Sequence, residues 1–181
     1  PLGSDAAGRD LYSRLLWAVR PTLLLVGIVA TVRLGLGLLI GLLAGWLRGA
    51  TGRLLDGLIT GASAAPVLVV ALAAIAFVGV QRGLVAFMLG LCLTGWAETA
   101  RQVENRTRSV RMENYIDAAR SLGASEGRLL FNHTLRHILP LLGMLLAVEV
   151  SSVLMVTAGL GFLGYYIGGG VWVTVDDFVA R

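Results

Sequence analysis

The sequence predicts an all-α protein with several membrane-spanning helices. Of the 181 residues, 56% are hydrophobic and only 14% are charged, and the mean hydropathy is +0.80. A soluble domain needs a more highly charged surface than this composition provides. The apolar residues also fall in long runs, which is the pattern of helices that cross a bilayer. The composition therefore indicates a polytopic membrane protein.

The first predicted span covers residues 21–46 and contains a single charge, Arg33. At about 1.5 Å per residue, a helix of this length crosses a hydrocarbon core of about 30 Å with some tilt. Residues 1–20 are predicted to form an extracytoplasmic or interfacial segment that includes a short helix at the membrane surface. Small residues in the span favour close contact with another helix, and they are Gly27, Gly35, Gly37, Gly41 and Gly45.

Two further spans are predicted before the charged part of the chain. Residues 57–80 are uncharged and contain Pro66, which predicts a kink. Residues 83–97 form a weaker span that is expected to extend toward Arg101. Cys92 lies in this apolar run, and a packed structural thiol is favoured there over a reactive one.

The last predicted span covers residues 138–157 and contains Glu149. Residues 158–181 follow it and are rich in glycine and aromatic side chains. Loose backbone and aromatic rings suit the membrane boundary, which favours a re-entrant or interfacial segment on the extracytoplasmic side.

Arg33 is the charge that the predicted spans accommodate least easily. An arginine at the centre of a span costs about 2.5–3.5 kcal/mol on insertion scales, so Arg33 is expected to face protein or water. Two interpretations are open. Arg33 is either a pathway charge near an anionic group of the substrate or a structural partner of Glu149, and the structural pair is favoured.

The distribution of arginine orients the predicted spans. All fifteen basic residues are arginine; seven lie between positions 97 and 137, and Arg48 and Arg53 lie in the loop after the first span. The turn at 81–82 contains only one. The positive-inside rule therefore places the 97–137 loop in the cytoplasm and both ends of the chain outside. Topology explains the net charge of +4, so no nucleic-acid partner is expected.

Within the charged loop, the sequence predicts a helix, a break and a second helix. Residues 117–122 are good helix formers, and Gly123 can end the helix that they form. Ser125 can then cap the next helix, and Glu126 supplies a negative charge at its start. If another molecule moved this pair of helices, the two spans that the pair connects would move with it.

This segment resembles the EAA loop of ABC importer permeases. Asp117 stands in place of the glutamate of that motif. Ala118 and Ala119 match its two alanines, and Gly123 matches its glycine. The resemblance implies that the residues coupling the chain to an ATPase are Tyr115, Asp117, Ala118, Ala119, Gly123, Ala124 and Ser125.

Residues 115–125, which read YIDAARSLGAS, are similar in particular to the C-type subunit of dipeptide, oligopeptide and nickel importers. Residues 1–16 resemble the segment before the second span of that subfamily, and residues 159–164, GLGFLG, resemble the motif after its fifth. The three matches occur in the right order. The chain is therefore expected to be a fragment that lacks the first and last spans of the family.

The resemblance implies a type I ABC importer transmembrane domain of the MetI-like fold. The permease domain would cover residues 21–157, with its cytoplasmic coupling loop at about 97–137. Glu149 would be a packing or gating partner rather than a substrate ligand. Residues 158–181 would help to contact an extracytoplasmic substrate-binding protein.

The implied function is that of a permease subunit, without enzymatic activity, that imports peptides, nickel or a similar small solute. The implied partners are a homologous B-type permease subunit, two cytoplasmic ATPase subunits, the binding protein and membrane lipid. The chain contains no GxxxxGK[ST] loop, so ATP and Mg²⁺ are expected on the ATPase subunits and no cofactor on this chain. The expected location is the plasma (inner) membrane of a bacterium or archaeon, with several passes.

Three alternatives come from other classes, and one of them, a purely structural scaffold, would leave the charged helical loop unexplained. An ion-coupled secondary transporter would need intramembrane ionisable groups, and only Arg33 and Glu149 qualify. An intramembrane serine protease is contradicted because the two histidines, His133 and His137, lie in the charged loop and leave Ser63 without a base.

The same histidines are four residues apart, a spacing that suits a metal, but a packing or interface role is favoured because no third ligand is evident.

Overall fold

The computed structural model describes residue 3 and residues 10–78 and 84–162. Within these ranges every regular element is a helix, as the sequence predicted. In chain order they are α1 (Leu11–Trp46), α2 (Ala50–Ala64), α3 (Val67–Val78), α4 (Leu84–Leu93), α5 (Trp96–Arg111), α6 (Asn114–Ser121), α7 (Glu126–Arg128), a π-helix (Leu129–Thr134) and α8 (Leu135–Phe162).

Two stretches of the described chain are long and apolar enough to cross a membrane, Leu15–Trp46 and Glu126–Phe162. The second joins α7, the π-helix and α8 into a continuous helix of 37 residues. A third span is present if α2 and α3, which are bent at a short break, count as one broken span. Helix α8 continues to Phe162, and the remainder of the predicted segment 158–181 lies outside the described residues.

The start of α1 differs from the predicted boundary between a surface helix and the first span. The helix begins at Leu11 and continues through Pro21 without a break. Proline removes one backbone donor from the helix, the one that would otherwise reach the carbonyl oxygen of Trp17. In the same turn the Thr22 hydroxyl donates a hydrogen bond of 3.0 Å to the carbonyl oxygen of Ala18. The surface segment and the span are therefore parts of one helix.

At Pro66 the chain breaks rather than kinks. Helix α2 ends at Ala64, and Ala65 is extended, with φ −88° and ψ 133°, as sterics require of a residue before proline. The Pro66 carbonyl oxygen then accepts a hydrogen bond of 3.0 Å from the amide of Val69 and starts α3. The predicted location was right, but the size of the disruption was underestimated.

The predicted third span is also divided. Helix α4 ends at Leu93 and α5 begins at Trp96, with Gly95 between them at a φ of +79°. The prediction that the span extends toward Arg101 is therefore wrong, because the left-handed glycine ends the helical path before Trp96.

The chain divides into two compact units. The first unit comprises Pro1–Ala30, Pro66–Leu93 and Val150–Arg181. Its described part has an apolar core formed by Leu25, Val26, Val29, Ala71, Leu91, Val153 and Leu160. Cys92 is partly buried and packs against this core, which confirms the prediction of a packed thiol.

The second unit comprises Thr31–Ala65 and Thr94–Glu149, and it contains every residue of the candidate coupling segment. Its main core is formed by Leu42, Trp46, Val103, Ile116, Leu129, Leu130, Ile138 and Leu145. One member of this core, Ile116, lies on α6, so the short helix is anchored to the unit by a fully buried side chain.

A stripe of glycines on α1 packs against α5 within the second unit. A Cβ atom added at Gly37, Gly41 or Gly45 would lie less than 3.0 Å from an atom of α5. Gly27 and Gly35, by contrast, have no described atom within 4 Å of such a Cβ. The predicted close helix contact is therefore confirmed at three of the five glycines.

Candidate functional site

The segment that resembles a coupling loop forms the two-turn helix α6 and the turn after it. Ile116 is buried in the core of the second unit, and Ala119 packs against the same core. Asp117 and Ala118 are exposed, and Leu122 is 89% exposed. The helix therefore has one face fixed to the unit and one face that is free to contact another molecule.

The turn after α6 is a Schellman motif closed by Gly123, whose φ is +87°. The Gly123 amide donates to the Arg120 carbonyl oxygen at 3.0 Å, and the Ala124 amide donates to the Ala119 carbonyl oxygen at 3.1 Å. Ala119 and Ala124 occupy the two positions that commonly form an apolar contact in this motif, and both pack against the core. The two small residues and the glycine are therefore explained by the geometry of the turn.

Arg120 links α6 to the helix that follows the turn. Its Nη1 lies 2.8 Å from Oδ1 of Asp117, and its Nε lies 2.9 Å from Oε1 of Glu126. The hydrogen bond to Glu126 raises the pKa of Arg120 above its usual value. The bond to Glu126 crosses the turn and restrains its angle, whereas the bond to Asp117 lies within α6. Each pair is partly exposed and therefore individually weak.

Ser125 begins the next helix, as the sequence predicted. Its side-chain oxygen accepts a hydrogen bond of 3.4 Å from the amide of Arg128. The helix then includes a π-helical segment, Leu129–Thr134, in which the Thr134 hydroxyl donates to the Leu129 carbonyl oxygen at 3.2 Å. Sequence reasoning did not predict this segment, because no simple residue pattern distinguishes it from an α-helix.

Tyr115 packs against both histidines of the charged loop. Its ring centroid lies 6.4 Å from that of His133 and 5.7 Å from that of His137, with tilted ring planes. Burial raises the pKa of the Tyr115 hydroxyl. In the described residues no group of three or more His, Cys, Asp or Glu could hold a metal ion. The aromatic contacts agree with the favoured packing role of the two histidines.

A second candidate site surrounds Arg33, which is completely buried in the second unit. Its Nη1 lies 3.5 Å from Oε2 of Glu149, so the structural pair that the sequence suggested is present. Its Nη2 donates a hydrogen bond of 2.7 Å to the Thr94 hydroxyl. The Thr99 hydroxyl donates to Oε1 of Glu149 at 2.5 Å. The sequence analysis missed Thr94 and Thr99, since threonine in an apolar segment is common and carries no specific signal.

Gly95 provides the space that the Arg33 side chain occupies. A Cβ atom on Gly95 would lie less than 3.0 Å from Nη1 of Arg33. The break between α4 and α5 thus brings a residue without a side chain against the guanidinium, and the Thr94 hydroxyl beside it accepts a hydrogen bond.

We expect Gly95→Ala to destabilise the protein by about 1–3 kcal/mol, because alanine adds both a left-handed backbone strain and a clash with Arg33. The measurement is thermal unfolding of the purified transporter in detergent. Gly57→Ala is the matched control, because an added Cβ there meets no described atom within 4 Å and alanine is favoured in a helix. Equal melting temperatures for the two variants would contradict the packing argument.

An ion-pair network joins α5 to α2 near the coupling segment. Both carboxylate oxygens of the buried Glu104 are engaged, Oε1 by Arg108 at 2.6 Å and Oε2 by Arg101 at 3.2 Å. Arg101 also lies 2.6 Å from Oδ1 of Asp56 on α2 and donates to the Thr60 hydroxyl. Burial raises the pKa of Glu104. This network stabilises the helix from which the coupling segment extends.

Residues 37–176 match the family described as binding-protein-dependent transport system inner membrane component. The chain belongs to this family. The match includes α6 and the turn at Gly123, which form the segment that resembles the EAA loop. Membership of this inner membrane component family does not favour an ion-coupled secondary transporter.

Several relatives within the family are permeases of named transport systems. The chain is 32% identical over 167 residues to the nickel transport system permease protein NikC of Escherichia coli K12, covering 90% of the chain and 58% of NikC. It is 29% identical over 163 residues to the glutathione transport system permease protein GsiD of Pectobacterium atrosepticum, covering 90% of the chain and 54% of GsiD. It is 26% identical over 166 residues to the oligopeptide transport system permease protein OppC of Mycobacterium bovis, covering 92% and 57%. The chain spans a little over half the length of each of these relatives.

Proposed function

We propose that the chain forms part of the permease subunit of an ATP-driven ABC importer, in which α6 couples the membrane helices to a separate ATPase. The proposal rests on the way in which α6 is attached to the rest of the second unit. Ile116 anchors the helix to the core of the second unit, and a hydrogen-bonded turn at Gly123 joins it to the continuous helix Glu126–Phe162. A force applied to α6 therefore acts directly on a helix long enough to cross the membrane.

The exposed face of α6 suits a protein partner. Large apolar side chains are exposed on and beside the helix, with Leu122 89%, Met112 74% and Tyr115 39% exposed. Asp117 and Arg120 lie among them and supply polar groups of both signs. Exposed apolar side chains with a charged rim are typical of protein contact surfaces.

In this proposal the importer takes up a peptide, nickel or a similar small solute, since the relatives are named for nickel, glutathione and oligopeptide transport. The partners are a homologous permease subunit, two ATPase subunits and an extracytoplasmic substrate-binding protein. ATP and Mg²⁺ bind to the ATPase subunits, and ATP-driven closure of those subunits moves α6. The transporter lies in the plasma membrane of a bacterium or archaeon, and α6 faces the cytoplasm.

The coupling role is tested by replacing residues 117–123 with a Gly/Ser linker of equal length in the assembled transporter. We expect the ATPase subunits to co-purify with the native permease in detergent and to be lost from the replaced form. The control is Asn105→Ala, an exposed change on α5 that leaves α6 intact. Retention of the ATPase by the replaced form would refute the proposed role of α6, whereas loss from both variants would indicate general instability.

The proposed orientation is tested by cysteine labelling in a Cys92→Ala background. A cysteine at the exposed Ser109, at the end of α5 near α6, is expected to react with a membrane-impermeant thiol reagent only when the cytoplasmic side is accessible. A cysteine at the exposed Ser13, near the start of α1, is the matched control and is expected to react in intact cells or spheroplasts. The reverse pattern would invert the proposed topology.

A further inference from the structure

A cleft of about 500 Å³ lies in the second unit between the end of α1 and the coupling segment. It is lined by Trp46, Leu47, Arg48, Arg111, Arg120 and Glu126. Clefts of this size commonly hold small ligands or parts of larger ones. Half of the lining residues are arginines, and only one is acidic, so the cleft carries a net positive charge.

Two of the three arginines make no ion pair with a carboxylate of the described residues, although Glu126 lies close enough to attract both. Arg120 is paired with Glu126, the only acidic residue of the cleft. Neither Arg48 nor Arg111 makes an ion pair with any described residue. Burial lowers the pKa of Arg111, and the neighbouring positive charges of Arg48, Arg108 and Arg120 lower it further. An anion in the cleft would relieve this repulsion.

Arg111 is held in place by the end of α1. Its Nη1 donates to the carbonyl oxygens of Trp46 at 2.7 Å and Gly45 at 3.1 Å, which are among the acceptors that a helix leaves unsatisfied at its C-terminus. Its Nε is buried and has no hydrogen-bond partner in the described structure. The guanidinium is thus fixed in the wall of the cleft through Nη1, and its Nη2 N–H groups make no hydrogen bond in the described structure.

The position of the cleft at the end of α1 indicates which kind of molecule would supply the anion. Trp46 is the last residue of the apolar stretch Leu15–Trp46, so the cleft lies at the end of a helix long enough to cross a membrane. The Trp46 side chain is only 7% exposed and belongs to the core of the second unit, whereas Leu47 is 40% exposed and supplies an apolar wall of the cleft. A ligand with an anionic head beside an apolar part would match both the arginines and Leu47.

We propose that this cleft binds the phosphate headgroup of an anionic membrane phospholipid, with Arg48 and Arg111 contacting the phosphate and Leu47 lying against the adjoining glycerol and acyl region. The proposal requires that the end of α1 lies at a membrane surface, and it is independent of the proposed coupling to an ATPase. A bound lipid would occupy the space beside Arg120 and so stand next to the turn that fixes α6.

The test is titration of the delipidated, assembled transporter with dioleoylphosphatidylglycerol, followed by native mass spectrometry. Dioleoylphosphatidylcholine serves as the zwitterionic comparison. We expect Arg48→Gln to weaken phosphatidylglycerol binding about fivefold, the effect of removing one arginine that faces an anionic headgroup. Arg48 is exposed and its side chain makes no hydrogen bond or ion pair in the described structure, so this change leaves the fold intact. Arg106→Gln is the matched control, because Arg106 is an exposed arginine of α5 that does not line the cleft.

Selective loss of phosphatidylglycerol binding in Arg48→Gln, with unchanged binding in Arg106→Gln, would support the proposal. Equal losses in the two variants would overturn it, since net charge alone would then explain binding. Displacement of the lipid by equimolar inorganic phosphate would also overturn it and would make free phosphate the ligand. If Arg48→Gln retained lipid but released the ATPase, the cleft would instead serve the protein partner and the proposal would fail.

Discussion

Replacing Gly123 with valine is expected to lower solute uptake by the assembled transporter about 5- to 30-fold. Gly123 has a φ of +87°, and a left-handed conformation costs an L-residue roughly 1–2 kcal/mol, with a further penalty for a β-branched side chain. The variant must strain or rearrange the turn between α6 and the helix Glu126–Phe162. We expect ATP hydrolysis by the reconstituted transporter to persist while uptake in cells falls, because the ATPase would act on a misdirected α6.

Two variants control for effects unrelated to the turn. Gly123→Asn is expected to retain most of the uptake, because asparagine tolerates the left-handed conformation better than other non-glycine residues. Gly127→Val introduces the same side chain four residues later, in α7, where an added Cβ has no described atom within 4 Å. Wild-type uptake by Gly123→Val would contradict the coupling role of the turn, and an equal loss in Gly127→Val would point to a general intolerance of valine in this segment.

Replacing Arg33 with methionine is expected to destabilise the protein by about 3–5 kcal/mol, because it leaves Glu149 buried without its positive partner. Glu149→Leu should have a similar effect for the converse reason. The double variant Arg33→Met/Glu149→Leu should recover most of the loss, since a buried ion pair can be replaced by apolar side chains at little cost. Thermal unfolding of the purified transporter measures all three, and the double-mutant cycle isolates the interaction.

The double variant also distinguishes the two interpretations of Arg33. If the pair is purely structural, the double variant is stable and transports solute at close to the wild-type rate. If Arg33 is a pathway charge, the double variant is stable but its uptake or its substrate range changes. Single variants with unchanged stability would contradict the buried pairing itself.

The local structure of the coupling segment was predictable because its determinants lie within a few residues of one another. Gly123 is needed where the chain adopts a positive φ, and Ser125 caps the helix that begins at Glu126. Both effects depend on backbone geometry over one or two turns, which the residue types specify directly. Residues 115–125 resemble a known motif within one contiguous stretch, so that resemblance also depends only on neighbouring residues.

The breaks at Pro66 and Gly95 were predicted less well. An apolar run indicates burial in lipid or protein, but it does not reveal whether the helix inside it is continuous. Pro66 correctly indicated where the helix is disturbed, but a kink was predicted where α2 in fact ends. Gly95 lies in the left-handed region beside Arg33, and its role becomes visible only when the side chain that fills the adjacent space is located.

The sequence by itself determined the all-α membrane class and the helix–turn–helix of the coupling segment, because these follow from composition and from short-range backbone preferences. The family was indicated by the resemblance of residues 115–125 to a known motif. The sequence suggested that Arg33 meets Glu149, but the tertiary structure decided which further distant groups join them. Arg33, Thr94 and Glu149 come together from three parts of the chain, and Arg48, Arg111 and Arg120 come together around one cleft. Such encounters depend on helix packing across long sequence separations, and no local residue pattern records them.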